Sequence, residues 1–309
     1  MKALVLLNMG APRNLDEVEL FLKNMFNDEN IITTKSKLLR KFIAFIITNT
    51  RKNEAKENYR KIGGRSPLVE NSENLIKSLQ KNLKDTYVTY VMRYTPPFSQ
   101  EVIRDLMAKN IDDITLIPLY PQYSTTTTKS SLEEFLNTSN KLDFHPTVKI
   151  VERFYKDDIY CNCVIEQIKK SLTDKNPKSH DLIFSAHSLP LKIVQKGDTY
   201  EKEIKENVEI LKNLLKKEGI FFNKIHLAYQ SKLGPVKWLE PSLEDKLKSI
   251  ENKNVIIYPI SFVLDNSETI YELHMEYKNV AQKLGFRDYQ VCHCPNNSKK
   301  FTDFLQNLA

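Results

Sequence analysis

Short apolar runs alternate with longer amphipathic stretches almost from end to end of the chain, and that alternation restricts the fold more than any other feature. The runs are ALVLLNM at 3–9, YVTYVMRY at 87–94, ITLIPLY at 114–120 and VKIVERF at 148–154. A second set follows, with DLIFSA at 181–186, KIHLAYQ at 224–230, NVIIYPI at 254–260 and YQVCHC at 289–294. Between them lie helical patterns such as ENLIKSLQKNLK, QEVIRDLMAKN and ENVEILKNLLKKEG. Continuous apolar strands separated by amphipathic helices predict parallel sheets covered on both faces. Four strands, a break near Phe154–Asp158 and four more strands predict two similar α/β domains, residues 1–155 and 156–309, which suits a length of 309 residues.

Composition narrows the class. With 41% hydrophobic residues the chain can build sizeable cores, and a net charge of +7 is spread without a run resembling a nucleic-acid tail. No nucleic-acid partner is expected, whereas anionic substrates or an anionic membrane surface fit the basic excess. The first apolar stretch, Ala3–Leu7, is too short for an export signal, and no segment approaches the roughly 20 apolar residues of a membrane-spanning helix. The expected location is therefore the cytoplasm, with the thiols of Cys161, Cys163, Cys292 and Cys294 reduced.

In open α/β sheets ligands bind beyond the carboxyl ends of the strands, and these ends are rich in polar and aromatic groups. They deliver Asn8-Met9-Gly10, Arg93-Tyr94, Tyr120-Pro121-Gln122-Tyr123, then Ser185-Ala186-His187, Tyr229-Gln230-Ser231 and Phe262 through Glu268. A lone histidine such as His187 can be a core or loop residue satisfied by a carbonyl, or a titratable site group. Downstream, Asp265 or Ser267 can cap a helix starting near Glu268, on which Glu268, Glu272 and Glu276 fall at i, i+4 and i+8 along one stripe. Such a stripe can be a solvated face; next to a histidine it supplies a base, a metal ligand or a path for protons and cations.

Residues 30–68 add an amphipathic helix with Leu38, Phe42, Phe45 and Ile46 beside Lys35, Lys37, Arg40 and Lys41, which can pack on its domain or form a lip over an apolar ligand or against a membrane. A glycine turn follows, framed by Arg60, Lys61 and Arg65, whose cations suit ligand carboxylates. Phosphate-loop, dinucleotide, nucleophile-elbow, HExxH and CxxC motifs are all missing, so nucleotide, serine-hydrolase and zinc-protease chemistries find no support.

LVLLNMGAP, YRKIGGRSPL, MRYTPP, PLYPQYSTTTT, FSAHSLP, YQSKLGPVKWLEPSLED and PISFVLDNSETIYELHMEY resemble, in that order, the motifs of the ferrochelatase family, in its bacterial, haem-biosynthetic form. The resemblance spans essentially the whole chain. It implies two Rossmann-like, chelatase-type domains and an enzyme that inserts Fe(II) into protoporphyrin IX or coproporphyrin III, releasing two protons. By resemblance His187, Glu268 and Asp265 are catalytic, and His187, Glu268, Glu272 and Glu276 are the metal-handling groups. Met9, Tyr120, Tyr123, Tyr229, Trp238 and Phe262 would line the porphyrin site with Tyr94, while Arg60, Lys61, Ser66 and Arg93 would meet its propionates. The residues near 30–68 would form the porphyrin-covering lip, the 30–50 part touching a membrane surface, and the last helix would pack back on the N-terminal half.

Two departures stand out. Many relatives carry histidine where this chain has Asn266, which cannot relay a proton as imidazole does. Some relatives hold an iron–sulfur cluster through a cysteine directly after PQYS; here Thr125 follows, and Cys292 with Cys294 do not complete the set. No cluster, no other cofactor and a monomer are expected. Two alternatives remain: a cobalt chelatase acting on an earlier tetrapyrrole, which usually has a second histidine in the site, and a porphyrin or haem carrier, to which the acidic stripe would be superfluous.

Overall fold

The computed structural model describes residues 1–232 and 234–309. The chain divides into two compact units, Met1–Arg153 with Thr302–Ala309, and Phe154–Phe301. In the first unit β1 (Lys2–Asn8), β2 (Thr86–Met92), β3 (Asp113–Pro118) and β4 (Thr147–Ile150) form one sheet in the order β2-β1-β3-β4, all parallel. In the second, β5 (Asp181–His187), β6 (Ile225–Gln230), β7 (Asn254–Pro259) and β8 (Asp288–Val291) repeat the pattern as β6-β5-β7-β8, again parallel. The four-stranded parallel sheets flanked by helices are as the apolar runs predict. The last strand of each sheet is shorter than its run: β4 lies at an edge with most side chains exposed, so apolar burial does not extend it to Phe154.

Each sheet is covered by helices because its strands are apolar on both faces. In the N-terminal unit Leu7, Ile103, Ile114, Leu116 and Phe135 are buried together; in the C-terminal unit Ile183, Ala228, Leu243, Val255, Ile257 and Leu273 are. In both sheets the chain leaves the first strand for one neighbour and later returns to the other side. The carboxyl ends of β1 and β5 are therefore the switch points where a doubly wound sheet opens a crevice.

At the end of β1 the backbone turns on Gly10, whose φ of +86° lies in the left-handed region. A Cβ there would stand 2.5 Å from Thr95 Oγ1 and 3.0 Å from Met92 Cβ, so glycine is required twice over. The Thr95 hydroxyl that crowds it accepts the Ala11 N–H at 3.1 Å, and Arg93 and Tyr94 donate backbone N–H groups to Asn8 and Met9 carbonyls. The turn is thus sewn to the segment after β2.

The helix expected in the 30–68 stretch runs over Lys37–Lys61, with Ser36 accepting the Leu39 N–H as its cap. Its apolar side chains face outward: Leu38 is 80% and Phe45 64% exposed, with Phe42 and Ile46 exposed beside them. Arg40 turns inward instead and donates to the Asn27 and Thr34 carbonyls. The greasy side of this helix is not what anchors it to its own unit.

Gly10→Ala combines a left-handed backbone with a steric clash and should destabilise the protein by about 2–4 kcal/mol in urea unfolding. A change below about 0.5 kcal/mol would contradict the packing described at the β1 turn.

Candidate active site

β5 ends at His187, at the switch point of the C-terminal sheet. A closed ring of hydrogen bonds fixes its backbone. The His187 N–H donates to Ser261 Oγ at 2.9 Å, Ser261 meets the Tyr200 hydroxyl at 2.6 Å, and Tyr200 donates to the His187 carbonyl at 2.9 Å. The imidazole is then held by Glu268, whose Oε2 lies 2.8 Å from His187 Nδ1. A carboxylate only accepts, so Nδ1 carries the proton and Nε2 presents a lone pair. Phe262 packs its ring edge-on at 6.5 Å.

Glu268 begins the helix Glu268–Glu276, which is a π-helix with i→i+5 bonding and not the α-helix its spacing predicts; an α-helix, Tyr277–Lys283, continues it. One turn then takes up more than four residues, so Glu268 and Glu272 remain on one side of the helix with an opposite drift. Ser231, just after β6, joins them. Its hydroxyl reaches Glu268 Oε2 at 3.0 Å and Glu272 Oε2 at 2.5 Å, and its N–H donates to Glu272 Oε1 at 2.8 Å. Ser231 adopts φ +67°, a left-handed conformation rare for serine, which aims both donors at the carboxylates. Glu276, at the far end of the helix, is exposed.

Ser267 stands at the N-cap position without a capping hydrogen bond from its side chain, and Asn266 supplies that bond. Asn266 Oδ1 accepts the N–H groups of Glu268 at 2.8 Å and Thr269 at 3.3 Å, and the Asn266 N–H donates back to Thr269 Oγ1. Asparagine suits this place because its short amide reaches helix-start donors well. Asp265 is buried and held by His293 Nδ1, Asn296 Nδ2, the Cys294 N–H and the Thr269 hydroxyl at 2.8–3.2 Å. Burial pushes its carboxyl up, but those donors outweigh it and keep it below the usual carboxylate range.

The electrostatics of the pair follow from the same contacts. Desolvation opposes charge on His187, yet the Glu268 charge and hydrogen bond, with Glu272 behind, lift it above the ordinary 6.5. Burial likewise pushes Glu268 up, and the His187 partner overrides it, holding it low. Glu272 lacks a cation; burial and the Glu268 charge push it up to about 7. Among the described residues no three His, Cys, Asp or Glu side chains are arranged to hold an ion.

The porphyrin-site residues expected from the sequence fall into two groups. Met9, Tyr123, Trp238 and Phe262 are partly exposed, and Arg60 and Lys61 are exposed at the glycine turn. Arg60 pairs with Glu57, and Arg153 lies 4.9 Å over the Tyr123 ring. The others have structural places. Ser66 is buried and caps the helix Pro67–Asn82 by accepting the Leu68 N–H. Tyr94, Tyr120 and Tyr229 are buried too, the last with its hydroxyl unpartnered. Tyr94 donates to the fully buried Asp28 carboxylate at 2.8 Å, where Arg93 also pairs at 3.0 Å and reaches Ser130 Oγ. Asp28, Tyr200 and Ser261 escaped the sequence reading, which named Ser231 only as a polar residue at a strand end.

The family model for ferrochelatase matches residues 1–309. The chain belongs to the ferrochelatase family. A ferrochelatase of Nitratiruptor sp. is 53% identical over 308 residues, covering 100% of this chain and 99% of that one. That of Sulfurimonas denitrificans is 50% identical, covering 99% and 98%, and that of Helicobacter pylori strain HPAG1 is 42% identical, covering 100% and 92%. Among solved structures, SirB from Bacillus subtilis with Fe3+ aligns with a TM-score of 0.57 at 9% identity, covering 99% of this chain and 94% of that one. CbiX, described as the terminal enzyme of sirohaem biosynthesis in denitrifying bacteria, gives 0.57 at 9%, covering 100% and 97%. These two establish the fold alone. Ferrochelatase membership makes this chain a metal chelatase of haem biosynthesis with porphyrin and iron as its substrates.

Neutralising Glu272 tests the electrostatics directly. Its folded pKa is raised from 4.5 to about 7, so the stability it lends at low pH is lost as pH rises toward 7. Glu272→Gln should therefore stabilise the protein by about 2 kcal/mol at pH 8, with a smaller gain at pH 5. Urea unfolding at both pH values reads the difference, and an equal effect at both would contradict it.

Proposed function

We propose that this chain inserts Fe(II) into protoporphyrin IX or coproporphyrin III, with His187 as the acceptor of pyrrole protons. One observation supports this above the others: the His187–Glu268 hydrogen bond leaves Nε2 with its lone pair at the end of β5. Two N–H protons leave the macrocycle as one Fe(II) enters. His187 takes a proton at Nε2, and the imidazolium is stabilised by Glu268, which gives the base a raised affinity for protons. Glu272, titrating at about 7, passes protons on through Ser231 and water, and Glu276 at the exposed helix end opens that line to solvent.

Iron is the substrate in this reading: Glu268, then Glu272 and Glu276, are its transient ligands, and the single Nε2 lone pair of His187 meets either the iron or a pyrrole proton at any one time. Asp265 acts by position: its bonds to His293, Asn296 and Thr269 hold the start of the π-helix, and Asn266 caps it where an imidazole relay is lacking. The family resemblance assigns Met9, Tyr123, Trp238 and Phe262 to porphyrin contact, and Arg60, Lys61 and Arg93 to its propionates. The same resemblance includes Ser66, Tyr94, Tyr120 and Tyr229, which are buried. No organic cofactor or iron–sulfur cluster is required. Burial pushes the Cys161 and Cys292 thiols up to about 12, which leaves them protonated and poor cluster ligands.

The exposed apolar side of Lys37–Lys61, with Lys35, Lys37 and Lys41 nearby, supports a porphyrin-covering lip that also touches an anionic membrane surface. Among the described residues no helix is long and apolar enough to cross a membrane. The chain acts in the cytoplasm as a monomer in this proposal.

Anaerobic Fe(II) insertion, followed by loss of porphyrin fluorescence with both rings in parallel, tests the reading. His187→Ala should lower the rate by roughly 10²–10⁴-fold, and the faster ring identifies the natural substrate. Full turnover in the variant would remove His187 from its role. Tight binding with no turnover by the native protein would favour a carrier.

A further inference from the structure

Within the C-terminal unit a cavity of about 360 Å³ lies beside the π-helix, lined by Gln167, Lys170, Ser171, His274, Lys278 and His293 among others. That volume falls at the lower end of ligand-sized pockets. Its charged lining is basic throughout, with no carboxylate among the described lining residues. Lys170 shares Glu166, at 2.8 Å, with Lys300, whereas Lys278 has no ion pair among the described residues. His293 is bound by Asp265, and His274 stacks on it with ring centroids 5.4 Å apart and planes 29° from parallel. His274 Nε2 is buried and has no hydrogen-bond partner. A buried ring nitrogen without a partner is unfavourable unless a ligand satisfies it.

The chemistry of the lining selects the ligand. Two lysines would repel a metal ion, and no set of three His, Cys, Asp or Glu side chains among the described residues could hold one. An apolar ligand would strand the cations and amides. We propose that this cavity binds a compact oxyanion, a phosphate or polycarboxylate group, between Lys170 and Lys278 with His274 as hydrogen-bond partner. The site is separate from the His187–Glu268 pair and needs no porphyrin, so its test is independent of the chelatase reaction.

Isothermal titration with sodium orthophosphate and with citrate, at fixed ionic strength, examines it on the native protein, on Lys278→Ala and on the surface control Lys212→Ala. Lys278 is exposed, so its removal leaves the fold intact. The expected result is saturable binding of at least one anion with Kd of ~1 mM or tighter, weakened roughly tenfold in Lys278→Ala and unchanged in the control. Binding of phosphate alone assigns a phosphate group, and binding of citrate alone assigns a polycarboxylate. No saturable binding of either below ~10 mM, or binding that Lys278→Ala leaves unchanged, overturns the proposal.

Discussion

The hydrogen bond between His187 and Glu268 is the constraint on which the C-terminal unit is organised. It spans 2.8 Å between the end of a central strand and the first turn of a helix, so both elements must stop where they do. Tyr200 and Ser261 close a ring about the histidine backbone, Asn266 caps the helix start, and Asp265 ties that start to the segment after β8. Each of these residues lends the pair rigidity without competing for its free nitrogen. A site built on element ends can be held firmly while remaining open on one side.

The charges around the pair are arranged unequally. Glu268 has an imidazole partner that holds its carboxyl below the usual range, whereas Glu272 has only Ser231 as donor and is raised to about 7. Two carboxylates on one helix thus differ in proton affinity because only one meets imidazole. That gradient suits a reaction that takes protons from a ligand and delivers them to solvent.

Much of the fold was legible in the sequence because the physics is local and repetitive. Runs such as NVIIYPI can be satisfied only between two helical layers, and their spacing leaves little choice but parallel strands. His187 and the Glu268–Glu272 spacing could be read from strand ends and helical period. The π-helix could not, because no residue pattern distinguishes i→i+5 from i→i+4 bonding at this length. Ser231 was visible as a polar residue at a strand end, but the left-handed backbone that aims it at two carboxylates was not. Asn266 seemed to be a lost relay, although its cap-forming chemistry was visible in the letter itself. The buried Asp28 meets Arg93 and Tyr94 across more than sixty positions, a pairing that no local pattern encodes. Ser66, Tyr94, Tyr120 and Tyr229 lay in motifs that the sequence made visible, whereas their burial depends on packing that no single motif encodes.

In the proposed function Glu268 serves the reaction, by supporting the His187 imidazolium and by meeting the iron, and is not needed to bind the porphyrin. Glu268→Gln keeps the size of the side chain and removes the charge, so measuring porphyrin affinity and the single-turnover rate of Fe(II) insertion on that variant separates the two functions. The account predicts affinity within a few-fold of native and a rate lower by roughly 10²-fold or more. A variant that keeps its rate, or loses affinity in proportion to its rate, would contradict it.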